Sequence, residues 1–192
     1  MSHLTLAALA AAGLTVLCAA GVQAAPAYDA DGKLQFPQDY RTWVYLSSGL
    51  GMSYNAMPMG GQAFDNVFVD PASYKAFVET GTWPDGTEFV LETRTAEQKG
   101  SINKAGHYQG EVGHREVHVK DAARFKGGWA FFPFPTEAPA TMIPTSVDCY
   151  ACHQAHGAVD TTFVQFYPTL LPIAQAKKTL SPAYLAEEAK HP

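Results

Sequence analysis

Residues 70–93, Asp70-Pro71-Ala72-Ser73-Tyr74-Lys75-Ala76-Phe77-Val78-Glu79-Thr80-Gly81-Thr82-Trp83-Pro84-Asp85-Gly86-Thr87-Glu88-Phe89-Val90-Leu91-Glu92-Thr93, decide the fold class because the apolar period changes within them. Asp70 suits an N-cap and Pro71 the first helical position. Tyr74, Phe77 and Val78 then recur at helical spacing until Gly81 stops the turn. That predicts one short amphipathic helix. Trp83-Pro84-Asp85-Gly86 is a turn, after which Thr87, Phe89 and Leu91 alternate with Glu88, Val90 and Glu92. A period of two predicts a strand with Phe89 and Leu91 on one face.

Working outward, Arg41 to Leu46 alternates Trp43 and Tyr45 against Thr42, Val44 and Leu46, and Val67-Phe68-Val69 follows as a second strand. His107 to Lys120 predicts one or two strands with Val117 and Val119 sharing a face, and Trp129 to Phe134 an aromatic strand. Asp121 to Lys126 reads as a helical turn ended by Gly127-Gly128, and helices are expected near residue 150 and over Pro182–Lys190. The sum is an α+β domain, a mainly antiparallel β-sheet with a few short helices. Four long helices are excluded by the Gly, Pro and aromatic density between residues 50 and 140.

Near the C-terminus stands Cys149-Tyr150-Ala151-Cys152-His153. Two thiols three positions apart, followed at once by an imidazole, are the spacing by which a c-type haem is held: each sulfur adds to a vinyl group and the histidine meets the iron. His153 is the expected proximal, metal-binding ligand, with Cys149 and Cys152 as the covalent tethers of one haem c. A disulfide or half of a zinc site are the alternatives, but zinc needs further ligands and Cys18 is the only other cysteine. An electron-transfer cytochrome c carries such a motif near its N-terminus with a Met ligand downstream, whereas no Met follows His153. A sixth ligand would come from upstream, among Met52, Met57, Met59 and Met142 or His107, His114 and His118. His156 reads as a surface residue or a haem-propionate neighbour, and Tyr150 and Ala151 as spacers.

Residues 1–24 contain no Asp, Glu, Lys or Arg and end in small residues, which predicts a secretory signal peptide cut after Ala24. A retained membrane anchor is the alternative. Export agrees with haem attachment outside the cytoplasm, so a periplasmic location is expected, with residues 25–192 as a single haem c domain. The net charge is −5, from 13 basic and 18 acidic side chains, without a basic cluster. That argues against a nucleic-acid partner.

Several stretches, in order, resemble cytochrome P-460: Val69-Asp70-Pro71, Ser73-Tyr74, Thr80-Gly81, Asp85-Gly86-Thr87, Val119-Lys120-Asp121, Arg124-Phe125, Trp129-Ala130-Phe131, the Cys149–His153 motif and Phe166-Tyr167-Pro168. The resemblance runs from about Tyr40-Arg41-x-Trp43 to about Leu170. It implies a small homodimeric periplasmic cytochrome on an antiparallel sheet, with five-coordinate haem and an open distal side. Two activities are implied. One branch oxidises hydroxylamine and carries a bond from a lysine side chain to the porphyrin. The other, cytochrome c′-beta, lacks that bond, has an apolar distal pocket and binds nitric oxide or carbon monoxide. A redox partner cytochrome is a further expectation.

The family's cross-linking lysine falls in Asp-Gly-Thr-x-x-x-Lys, and here that position is Leu91, beside Phe89 on the same strand face. Leucine has no nucleophilic nitrogen, so hydroxylamine oxidation is in doubt and gas binding in a pocket lined from Phe64, Phe89, Phe131, Phe132 and Phe134 is the expected activity. Lys99 and Lys104 lie beyond the strand. Oxidation would also need a base near bound substrate. Glu137 is the catalytic candidate, with Asp65 and Asp148 behind it. Gln165 stands where some relatives carry a basic residue, and Tyr167-Pro168 is expected to end a helix packed on the haem.

Overall fold

The computed structural model describes residues 25–53 and 62–190; the expected signal peptide and the ligand candidates Met57 and Met59 lie outside the described residues. Five strands form one antiparallel sheet in chain order: β1 (Val44–Leu50), β2 (Ala63–Val69), β3 (Glu88–Glu97), β4 (Tyr108–Lys120) and β5 (Trp129–Phe134). The helices are α1 (Pro71–Thr80), α2 (Asp148–His156), α3 (Leu171–Lys177) and α4 (Pro182–Glu188). The α+β class read from the sequence is what the chain adopts.

Alternation divides the sheet into two faces of different chemistry. Val90, Val117, Val119, Ala130, Phe132 and Phe134 point to one side and pack under the N-terminal segment through Leu34, Phe36, Tyr40 and Trp43. Val69, Phe89, Trp129 and Phe131 point to the other, under the C-terminal third of the chain, from which Ala158, Val164, Tyr167, Leu170, Ala174 and Tyr184 descend. Each layer closes one apolar face.

The N-terminal layer is fastened by a buried carboxylate. Glu92, only 1% exposed, accepts from Tyr40 Oη at 2.5 Å, Arg41 Nη2 at 2.6 Å and Arg94 Nε at 2.6 Å. Burial opposes its charge, but the bonds from Arg94, Tyr40 and Arg41 win and hold the carboxyl below its usual range. The resemblance motif Tyr40-Arg41 thus ties the entering chain to β3.

Helix α1 forms as its sequence predicts. Asp70 Oδ1 accepts from Ser73 N at 2.7 Å, and Gly81, at φ 78°, returns its N–H to Phe77 O at 2.7 Å. The second Asp70 oxygen accepts from Glu88 N at 3.1 Å, so one side chain caps the helix and joins it to β3. Phe77 lies on Trp83 with ring centroids 4.1 Å apart, and Trp83 meets Phe89 edge-on at 4.8 Å.

Residues 121–126 do form the single helical turn expected, Phe125 N donating to Asp121 O at 2.9 Å and Asp121 Oδ1 accepting from Ala123 N and Arg124 N. Three details differ from the sequence expectation. Arg41 and Thr42 belong to a 3-10 turn (Tyr40–Thr42), and β1 begins only at Val44, because the Trp43 N–H closes that turn on Tyr40 O. The segment before Tyr167 is a 3-10 turn, Val164–Phe166. Helix α3, with Pro172 in its first turn, was not foreseen.

Glu88 yields a pH prediction. Burial, with Asp70 and Asp39 adding repulsion, pushes its carboxyl up to about 8. A raised folded-state pKa means that its contribution is complete below the unfolded value of 4.5 and is lost as pH rises towards 8. Stability should fall across that window by up to about 1.4 kcal/mol per pH unit. Glu88→Gln should flatten the fall, as read by urea unfolding at pH 5 and pH 8.

Candidate functional site

Helix α2 carries the Cys-x-x-Cys-His motif beneath the face that β3, β4 and β5 share. Its N-terminal half is fixed by Tyr150, whose ring stacks on Phe131 at 4.5 Å, while its hydroxyl donates to Ile143 O and accepts from Phe131 N, both at 3.3 Å. Tyr150 is therefore more than a spacer. At the other end Gln165 caps the helix, donating to His156 O at 2.7 Å and accepting from Ala158 N at 3.1 Å. His156 pairs with Glu187 of α4 at 2.8 Å, a surface clip.

His153 is held by the loop that follows. Its Nδ1 lies 2.8 Å from Thr161 O. A carbonyl only accepts, so Nδ1 carries the proton and Nε2 keeps a free lone pair. Burial, with His118 adding repulsion, pushes the imidazole down to about 4, which keeps it neutral and able to ligate. Gly157 permits the loop's return: a Cβ there would stand 2.6 Å from Thr161 C and 2.7 Å from His153 O.

Between α2 and the sheet lies a cavity of about 530 Å³. That is within the range of cofactor sites. Cys149, Cys152 and His153 form its floor with Phe163, Phe166 and Tyr167, and the sheet supplies Val67, Phe89, Leu91 and Phe131. One stretch of wall is polar. His114, Glu116 and His118 are successive cavity-facing residues of β4, with Glu116 oxygens 3.7 Å from His114 Nε2 and 3.5 Å from His118 Nε2. The bond to His118 holds the Glu116 carboxyl below its usual range, whereas burial raises that of Asp65, also on the wall.

The structure thus brings Leu91 and Phe89 to the cavity with the three residues of the motif. Of the aromatic candidates, Phe89 and Phe131 line it. Phe132 and Phe134 sit in the opposite layer by strand alternation, and Phe64 shares their side of the sheet. Glu137 lies elsewhere. It is not among the lining residues but is bound at 2.9 Å to Arg115, whose strand position faces the N-terminal layer. Asp65 and Asp148 do line the cavity. Of the possible sixth ligands, Met52, His114 and His118 reach its wall; Met142 packs in the far core and His107 bonds Gln98 in the β3–β4 loop. Glu116 was missed, although Val117 and Val119 on one face already imply His114, Glu116 and His118 on the other.

The family model for cytochrome P-460 matches residues 37–164, two thirds of the chain and every strand described above. The chain belongs to the cytochrome P-460 family. No curated protein matches it.

A haem cofactor follows from the cytochrome P-460 family, and the donor chemistry at the cavity floor fits one. Two free thiols, a neutral imidazole with one unspent nitrogen, and a largely apolar enclosure are what covalent and axial attachment of a flat macrocycle require. The cavity-facing rim of α2 is set by the 157–162 loop, so Gly157→Ala should cost about 1–3 kcal/mol by overpacking. Urea unfolding checks the loss.

Proposed function

We propose that this protein is an exported monohaem c-type cytochrome that binds nitric oxide or carbon monoxide, closest in behaviour to the cytochrome c′-beta branch. Cys149 and Cys152 would carry the macrocycle and His153 Nε2 would hold the iron from one side. Bound there, haem supplies an iron able to take a small diatomic or to exchange electrons. The observation that carries this reading is Leu91. Leu91 sits in the cavity wall, paired with Val67 across the strands and flanked by Phe89, where the resemblance calls for a cross-linking lysine. Its hydrocarbon side chain cannot form that bond, and it presents an apolar surface between Val67 on one neighbouring strand and the polar Glu116 on the other. Lys99 and Lys104 do not line the cavity, being in the loop between β3 and β4.

A second reading, hydroxylamine oxidation, is favoured by Glu116. A carboxylate between two imidazoles can take a proton from a substrate and pass it outward, with His114 half exposed at the rim. Dimerisation and a partner cytochrome accompany both readings.

The two separate cleanly. For a gas-binding protein, the absorption spectrum of the ferrous form should change on adding nitric oxide or carbon monoxide, and Glu116→Gln should leave the affinity unchanged. Mass spectrometry should find no residue of 87–104 on the haem peptide, and the mature protein should begin at Ala25. Steady hydroxylamine turnover that collapses in Glu116→Gln would establish the enzyme reading instead.

A further inference from the structure

The loop that meets His153 holds an unusual backbone. Asp160 has φ 49° and Thr161 φ 61°, adjacent non-glycine residues in the left-handed region. A β-branched residue such as Thr161 seldom adopts that conformation, and it persists only where the surroundings impose it. Val159 and Thr162 pair across this two-residue turn, Thr162 N donating to Val159 O at 2.8 Å and Val159 N to Thr162 O at 3.3 Å. The consequence of the left-handed pair is that the Thr161 carbonyl faces His153 Nδ1, 2.8 Å away.

What imposes the turn comes from the sheet. Lys120, the last residue of β4, bonds Asp160 Oδ2 and also donates to Trp83 O at 2.7 Å. Trp83 in turn donates from Nε1 to Thr162 Oγ1 at 2.9 Å. The turn is thus gripped at Asp160 and at Thr162 by two residues that are bonded to each other, and Thr161 lies between the grips. Its carbonyl has little freedom left.

We propose that Lys120 and Asp160 are positioning residues for the proximal histidine: their ion pair locks the left-handed turn so that Thr161 O accepts from His153 Nδ1. This rests on the reading of His153 as the haem ligand. An acceptor on Nδ1 fixes the ring's orientation and raises the basicity of Nε2, which strengthens the bond to iron and favours the ferric state. Lys120 would therefore tune the iron from outside the cavity, touching neither haem nor ligand. A plain structural clip between the loop and β4 would leave the electronic properties of the iron alone.

The test uses the haem-loaded mature protein. Lys120→Met and the isosteric Asp160→Asn should each lower the iron–histidine stretching frequency of the ferrous form and raise the midpoint potential. The double variant should add little to either single one, and Lys120→Arg should return both readouts towards the parent. Arg115→Met, which breaks an ion pair beneath the other face of the sheet, should move neither. If Lys120→Met and Asp160→Asn load haem and keep the parent's frequency and potential, the positioning role is wrong while the haem reading stands. A parent whose iron shows no histidine ligation overturns both.

Discussion

Alternation along β3, β4 and β5 is the constraint on which everything else here depends. The strands are not uniformly apolar, and their two faces have different tasks. Val90, Val117 and Phe132 meet a layer of Leu34, Phe36 and Trp43 and are sealed. Phe89, Leu91 and Phe131 meet a layer that leaves a cavity over them. A slip of one residue in register would exchange the faces, sending Glu116 into the sealed core and Val117 into the cavity. Burial of Glu92 under Tyr40, Arg41 and Arg94 opposes such a slip, because that carboxylate has partners on one side only.

Periodicity made most of this legible in the sequence. The capped helix from Asp70 to Gly81, the strand after Thr87 and the aromatic strand Trp129–Phe134 are each specified by local chemistry: a cap, a turn, an alternation. The motif around His153 is equally local. Glu137 lies away from the cavity for a non-local reason. Position in the chain before Cys149 suggested proximity to the haem, but position in space is decided by Arg115, whose side of β4 is fixed by the sheet. The same alternation, applied consistently from Val117, would have nominated Glu116.

Long-range closure was not legible. Nothing in the sequence of Asp160-Thr161 announces a left-handed pair, for neither residue is glycine. The conformation exists because Lys120, forty positions earlier, and Trp83 hold it. Gly157 is needed for a similar reason, since its missing side chain is the space through which the Thr161 backbone passes. Helix α3 escaped notice because its seven residues are too few to set a period and are stabilised by packing of Ala174 in the core.

One strand face connects the cavity wall to the proximal loop. His114, Glu116, His118 and Lys120 follow at intervals of two on β4, a line about 20 Å long. The first three border the cavity, and His118 stands 4.3 Å from the Phe131 ring and 5.3 Å from that of His153. The fourth holds the turn that presents Thr161 O. From Arg115 onward β4 is paired to both β3 and β5, so Glu116, His118 and Lys120 do not slide independently of one another, whereas His114 lies at a register shift opposite Glu92–Arg94. Groups that would meet a distal ligand and groups that orient the proximal imidazole therefore share one rigid support. Their relative placement follows from the backbone hydrogen bonds of β3, β4 and β5.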